Sequence, residues 1–201
     1  MATNRPNYHH GDLKAALIGA ATEIIAEAGV EGFSLREAAR RAGVAASAPA
    51  HHFGSAKGLL TEVALQGYRQ LGSYLAQVNP SDDPRVDIIG ISLAYVRFAL
   101  DHPGLFRLMF RNDLVNRADP RYRETSMAAL GAFGRAAGAY GTVQKLAPTE
   151  AVVATWSAIH GLAHLMLEEK LEPLLGQGSS HELLETRLPQ IVGAIWQAGG
   201  Q

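Results

Sequence analysis

The 201-residue chain contains no cysteine. That excludes a disulfide framework, a thiol nucleophile and a cysteine-ligated zinc, and it suits a reducing cytoplasm. Long hydrophobic runs are also missing. The most apolar stretches are interrupted by Arg97 in one case and by His160, His164 and Glu168 in another, so no membrane span is expected. The opening ten residues carry no apolar h-region, and no secretory signal is read there. An excess of one charge is lacking too: the formal net charge is −1. Any nucleic-acid surface must therefore be local. What is present is 47% hydrophobic and 18% charged, which excludes an intrinsically disordered chain. The length allows one domain or two small ones with a real core.

The local charge is concentrated early. Between residues 34 and 57, Arg36, Arg40, Arg41 and Lys57 face the single acid Glu37, with His51 and His52 beside them. Breaks fall at 29–32, 43, 79–84, 103–104, 116–120, 141–148 and 176–180. Between them the apolar period is helical almost everywhere. Leu13, Leu17, Ala21, Ile24 and Ala28 mark a first helix stopping at Gly29. A long helix follows Gly54-Ser55 and carries Leu60, Val63, Leu71, Leu75 and Val78. Further helices fit 82–101, 104–114, 120–140, 148–171 and 180–198. Hairpin-bounded alternation is absent, so no sheet is expected and the fold class is all-α.

Ser34-Leu35-Arg36-Glu37 reads as a capping box, in which the serine oxygen accepts from the amide three residues on and the glutamate bonds back. A helix over 34–41, a turn at Ala42-Gly43-Val44 and a second helix over 45–52 make a helix-turn-helix layout. Gly43 suits a left-handed turn residue, and Ala38, Ala39, Ala42 and Val44 let two short helices pack closely. An ordinary helical hairpin is the bland alternative.

The chain also resembles a known family, through Tyr8-His9-His10-Gly11-Asp12-Leu13-Lys14, the run from Gly32 through Ser34 and Gly43 to Val44, and His52-Phe53-Gly54-Ser55. These resemble the N-terminal domain of TetR/AcrR-type transcriptional regulators. Phe98 to Phe110 and Trp156-Ser157-Ala158-Ile159-His160-Gly161 resemble the Trp/His-Gly type of C-terminal domain in that family. The resemblance implies about nine helices in two domains, a helix-turn-helix DNA-binding domain at 1–56 and a ligand-binding and dimerisation domain at 57–201. It implies a homodimeric, cytoplasmic repressor whose affinity for a palindromic double-stranded operator answers to a small-molecule effector, and no enzyme or cofactor. Two positions depart from the family pattern. Ala50 stands near where a tyrosine is common, and Ala56 where a lysine is common, with Lys57 one place later.

Phosphate contacts set register and much of the affinity, and base-edge contacts set specificity. Phosphate work is assigned to Ser34, Arg36, His51, His52 and Lys57, and base edges to Ala46 and Ser47, whose short side chains suit thymine methyl contact. Arg40 and Arg41 read as a solvated helix face.

In the C-terminal half, 148–171 is apolar over most of its circumference, so it is expected to be covered on two sides. Val152, Trp156, Ile159, Ala163 and Met166 form a bulky stripe assigned to the chain's own core. Ala151, Ala154, Ala158, Gly161 and Leu165 form a small-residue stripe assigned to a partner helix. Leu184, Leu188, Ile191 and Ile195 join that dimer interface in a four-helix bundle, with Pro189 expected to bend the last helix. Phe98, Phe106, Met109, Phe110, Met127, Trp156 and His160 are the candidates for an apolar effector pocket. His160, His164 and Glu168 offer the rival reading of a small helical metalloprotein or metalloenzyme, because i, i+4 histidines can share a metal. A structural or pocket role for those histidines is preferred, and no metal is assigned.

Overall fold

A computed structural model describes residues 10–175 and 186–197, together with Glu182. Among the described residues there are helices and no strands. In chain order they are α1 (His10–Ala28), a 3₁₀ turn (Val30–Gly32), α2 (Leu35–Arg41), α3 (Ala48–Phe53), α4 (Ala56–Ala76), α5 (Pro84–Asp101) and α6 (Pro103–Met109). Then follow α7 (Pro120–Ala129), α8 (Gly131–Val143), α9 (Pro148–Leu167), α10 (Glu172–Leu175) and α11 (Leu188–Gln197). No helix among the described residues is long and apolar enough to cross a membrane.

The chain divides into two compact units. The first takes in the chain through Gly67 and then residues 104–122, and the second takes in 68–103 and the chain from Arg123 onward. The helix-turn-helix unit thus extends beyond the 1–56 span expected from sequence and recruits α6 with the segment after it.

In the first unit, Leu17, Ala21, Ile24 and Ile25 of α1 are buried with Ala38 and Ala39 of α2 and with Leu59, Leu60 and Val63 of α4. Alanine at the two α2 positions allows the close packing that so short a helix needs. Helix α6 joins this core because residue 104 is glycine. A Cβ there would lie 2.4 Å from the carbonyl oxygen of Ile25, so any side chain would push α6 off α1. The following segment is tied down by polar contacts. The Asn116 amide donates to Thr61 Oγ1 at 2.9 Å, and Arg111 and Arg121 pair with Glu31 (3.1 Å) and Glu62 (2.7 Å).

The second unit is a bundle in which α5 packs on α8, α9 and α11, and α8 packs on α9. Tyr95, Phe98, Phe133, Ile159, Ala163, Met166, Val192 and Trp196 fill its centre. Buried polar groups find partners there: Trp196 Nε1 donates to Ser92 Oγ at 3.2 Å, and the Tyr140 hydroxyl to the Trp196 carbonyl at 2.7 Å.

Several boundaries differ from the sequence expectation. The helix expected over 120–140 is two helices broken at Leu130, next to Gly131, where glycine weakens the helical backbone. The 148–171 helix stops at Leu167, closed by Glu169 in the left-handed region (φ 54°), with the Lys170 amide reaching back to the Leu165 carbonyl at 2.9 Å. The last described helix starts at Leu188, after a turn residue at Arg187, so Pro189 stands at a helix start rather than inside one continuous helix. In that first turn its missing N–H is no loss.

Candidate nucleic-acid interface

Ser34 starts α2 as its N-cap, with extended backbone (φ −144°, ψ 146°) and its Oγ accepting from the Glu37 amide at 3.2 Å. The glutamate does not return the bond. Its carboxylate accepts from Arg40 Nε and Nη2 at 2.7 and 2.6 Å and from Arg41 Nε at 3.0 Å. Two guanidinium groups outbid one neutral amide for a carboxylate. Those bonds, first from Arg40 and then from Arg41, hold the Glu37 carboxyl down at about 2, so it is ionised at any working pH. Arg41 also reaches Glu27 of α1 at 2.7 Å, which fastens the two helices together.

The turn after α2 uses Gly43 at φ +68°, with open space around the position where a Cβ would stand. Helix α3 starts at Ala48 rather than Ala45, because Pro49 fits only in the first turn of a helix, and it is buried there. Ala46 and Ser47 therefore precede the helix as exposed residues, with Ser47 as N-cap making no side-chain capping bond. Ala50, near where the family commonly carries tyrosine, faces out.

Of the residues assigned to phosphate, Ser34, Arg36, His51 and Lys57 are exposed and His52 is half-buried, its ring edge-to-face with His51 at 5.1 Å. Lys57 lies in the first turn of α4, where Ser55 Oγ accepts from the Gly58 amide at 3.2 Å. Ser34, Arg36, Arg40, Val44 and Ala46 line one groove of about 370 Å³ between α2 and the turn. A capped helix, a left-handed glycine turn and a short second helix, with basic side chains along one groove, define a helix-turn-helix DNA-binding protein.

The second unit holds a polar chain that sequence reading found only in part. Trp156 Nε1 donates to Tyr95 Oη at 3.2 Å, and Tyr95 Oη lies 2.9 Å from His160 Nδ1. Burial, and then the neighbouring His164, push His160 down to about 4, so its ring is neutral near pH 7. A neutral ring keeps one N–H and one bare nitrogen, so this contact is a hydrogen bond whose donor is set by the ring's tautomer. Burial raises the Tyr95 phenol, which keeps it protonated. Tyr95 lies 65 residues before its histidine, and no local pattern announces the pairing. Among the described residues no group of three or more His, Asp or Glu side chains could hold a metal ion, so the metalloprotein reading has no support.

The seven side chains expected around an effector are divided between the units. Phe106, Met109 and Phe110 belong to the first, where the rings of Phe106 and Phe110 stack edge-to-face at 5.2 Å. Phe98, Met127, Trp156 and His160 belong to the second. Phe98 is fully buried against Tyr74 and His102, and Trp156 and His160 are half-buried. Met127 is 66% exposed, a surface residue rather than a wall of the core. The second unit also contains a cleft of about 440 Å³ whose lining includes Leu75, Val78, Ile91, Ala132, Arg135 and Ala136. Alanines one turn apart on α8 leave that space, a signal present in the sequence but unused.

Along α9, Ala154, Gly161 and Leu165 are exposed and Ala158 is half-buried, while Ile159, Ala163 and Met166 are buried on the opposite stripe. Ile191 and Ile195 are half-buried. Leu188, expected to face a partner, is instead 1% exposed, because the helix begins there and points its first residue into the core. The side chain of Leu184 lies outside the described residues.

Comparison with known proteins agrees with this architecture. A family model of bacterial regulatory proteins of the tetR family matches residues 17–63, and a tetracyclin repressor-like C-terminal domain matches 88–188. The chain belongs to the TetR family and is a ligand-responsive, DNA-binding transcriptional regulator. Regulators of this family generally act by binding DNA rather than by catalysis, and they work as dimers. No curated protein matches the sequence. Among solved structures, a protein of unknown function from Rhodococcus sp. RHA1 is 27% identical, with 98% of this chain and 100% of that one covered and a TM-score of 0.74. A tetR family transcription regulator from Shewanella sp. PV-4 is 20% identical, covering 92% and 97%, with a TM-score of 0.67. A TetR variant from Acinetobacter baumannii AYE in complex with minocycline is 18% identical, covering 92% and 94%, with a TM-score of 0.63. The last two share the fold.

Proposed function

We propose that the protein is a cytoplasmic, homodimeric repressor, with no enzymatic activity, that binds a palindromic operator with one helix-turn-helix per half-site and releases it on binding a small molecule. The observation that carries this reading is the groove between α2 and the turn, where Ser34, Arg36 and Ala46 stand together beside an exposed Ser47. Ser34, Arg36, His51, His52 and Lys57 take phosphates, and Ala46 and Ser47 meet base edges through methyl contact and close backbone approach. The phosphate anchors fix where the recognition segment lies, so short residues suffice to read the groove.

Dimer formation is assigned to the exposed stripe Ala154, Ala158, Gly161 and Leu165 with Ile191 and Ile195. Small residues along a helix let a partner's backbone approach, and two helices per chain complete a four-helix interface. The effector acts on the second unit, which holds the buried Phe98 and the half-buried Trp156 and His160 that form a polar chain with Tyr95. To release DNA it must bind one conformation more tightly than the other by the whole free energy it shifts.

The test is titration of selected operator DNA at several salt concentrations. Arg36→Ala and Lys57→Ala should each weaken binding across all sequences and flatten the salt slope by about one unit. Operator affinity unchanged in both variants would remove the groove from the DNA interface.

A further inference from the structure

We infer that Arg40 clasps one phosphate of the DNA backbone and that Glu37 is its positioning residue, an assignment that rests on the operator-binding reading above. Arg40 and Arg41 are neighbours on α2 with different surroundings. The Arg41 side chain is 26% exposed and bridges Glu27 of α1 (2.7 Å) and Glu37 (3.0 Å), so it holds the fold together. The Arg40 side chain is 70% exposed and bonds back to Glu37 alone. Charges thus alternate from Glu27 through Arg41 and Glu37 to Arg40, and the chain ends at the groove that Ser34, Arg36 and Ala46 also line.

The geometry of the last pair is specific. Glu37 occupies the side edge of the guanidinium, at Nε (2.7 Å) and Nη2 (2.6 Å). A guanidinium has five N–H donors; three remain, and two of them point out together from the end edge formed by Nη1 and Nη2. That edge matches two phosphate oxygens with parallel bonds, which a lysine ammonium cannot do. The helix before the turn in this motif crosses the sugar-phosphate backbone, and Arg40 lies one turn after Arg36 on it. Stability does not explain the pair. An exposed ion pair three residues apart contributes little, and freezing a long arginine costs side-chain entropy. Ordered in advance, however, that arginine meets a phosphate without losing the entropy again.

The experiment is a double-mutant cycle on operator and on unrelated duplex DNA across a salt series, with full-length protein. Alanine favours helix at both positions, and circular dichroism checks that the fold is kept. Arg40→Ala should weaken binding about tenfold on both DNAs and flatten the salt slope by about one unit. Glu37→Ala removes a negative charge from the DNA face, which by charge alone would tighten binding. Positioning predicts the reverse, a loss of about threefold. In the Arg40→Ala background the sign should invert, with Glu37→Ala tightening binding. Arg40→Lys should keep the salt slope but not the affinity. The assignment is overturned if Arg40→Ala binds like wild type, if its loss is confined to one operator base, or if Glu37→Ala tightens binding in both backgrounds. Lys57→Ala separates the two levels: if it weakens binding while Arg40→Ala does not, only this inference fails, whereas wild-type protein that ignores DNA overturns both.

Discussion

The two units put helices to different use. In the first, α2 and α3 have seven and six residues, too short to persist alone. They are set by local devices: the Ser34 cap, the left-handed Gly43 and the first-turn Pro49. Ser34, Arg36, His51 and Lys57 are exposed on that frame. In the second, α5 and α9 have 18 and 20 residues and are held by apolar burial on more than one face. The same apolar pattern there serves core, cleft and exposed stripe alike. Local devices leave distinctive sequence marks and burial does not, so the helix-turn-helix unit is far more legible than the second unit.

The sharpest way to break the comparison is at α9. A Cβ at Gly161 would meet nothing within 4 Å, so Gly161→Leu leaves the subunit's own packing alone and tests only the partner surface. The variant should sediment as monomer, and its operator affinity should fall by about 100-fold or more, since one half-site supplies too few phosphate contacts. An intact dimer would mean that the exposed stripe does another job.

In the first unit the corresponding change is Gly43→Ala. Space is available, so the cost is the left-handed backbone alone, about 1 kcal/mol in a chemical denaturation curve. A neutral result would show that the turn is held by its neighbours rather than by its glycine.

The smallest effect sharpens the contrast through pH. His160 is pushed from 6.5 to about 4, so the unfolded chain takes up a proton there before the folded chain does. Stability from this site is complete above about pH 6.5 and is lost as pH falls toward 4, damped by its half-exposed ring. Tyr95 on α5 and His164 on α9 are titratable groups beside it. Melting temperatures from pH 7.5 to 4.5 should fall less steeply in His160→Gln, which keeps an acceptor for Tyr95. Parallel profiles would take the histidine out of the acid response.

Sequence made much of this visible. The Ser34 cap, the stops at Gly29 and Gly43, and the burial of Ile159, Ala163 and Met166 on α9 follow from spacing and residue type, whereas Ala151, expected on the open stripe, is buried. What it hid was long-range or competitive. Glu37 choosing two arginines over the Ser34 amide is a contest that a capping pattern cannot decide. Gly104 meeting Ile25 brings α6 into the helix-turn-helix unit across nearly eighty residues of chain, and Tyr95 finds His160 in the same way. Pro49 shifted the start of α3 by three residues, which moved Ala46 and Ser47 off the helix but left them exposed.

The central claim, a two-fold protein reading DNA with one helix-turn-helix per subunit, is tested most directly by selecting bound duplexes from a random pool with the purified chain. The selected sequences should converge on an inverted repeat whose half-sites are centred about one helical turn apart or a little more. A pool that converges on no sequence, or on a single half-site without symmetry, would contradict it.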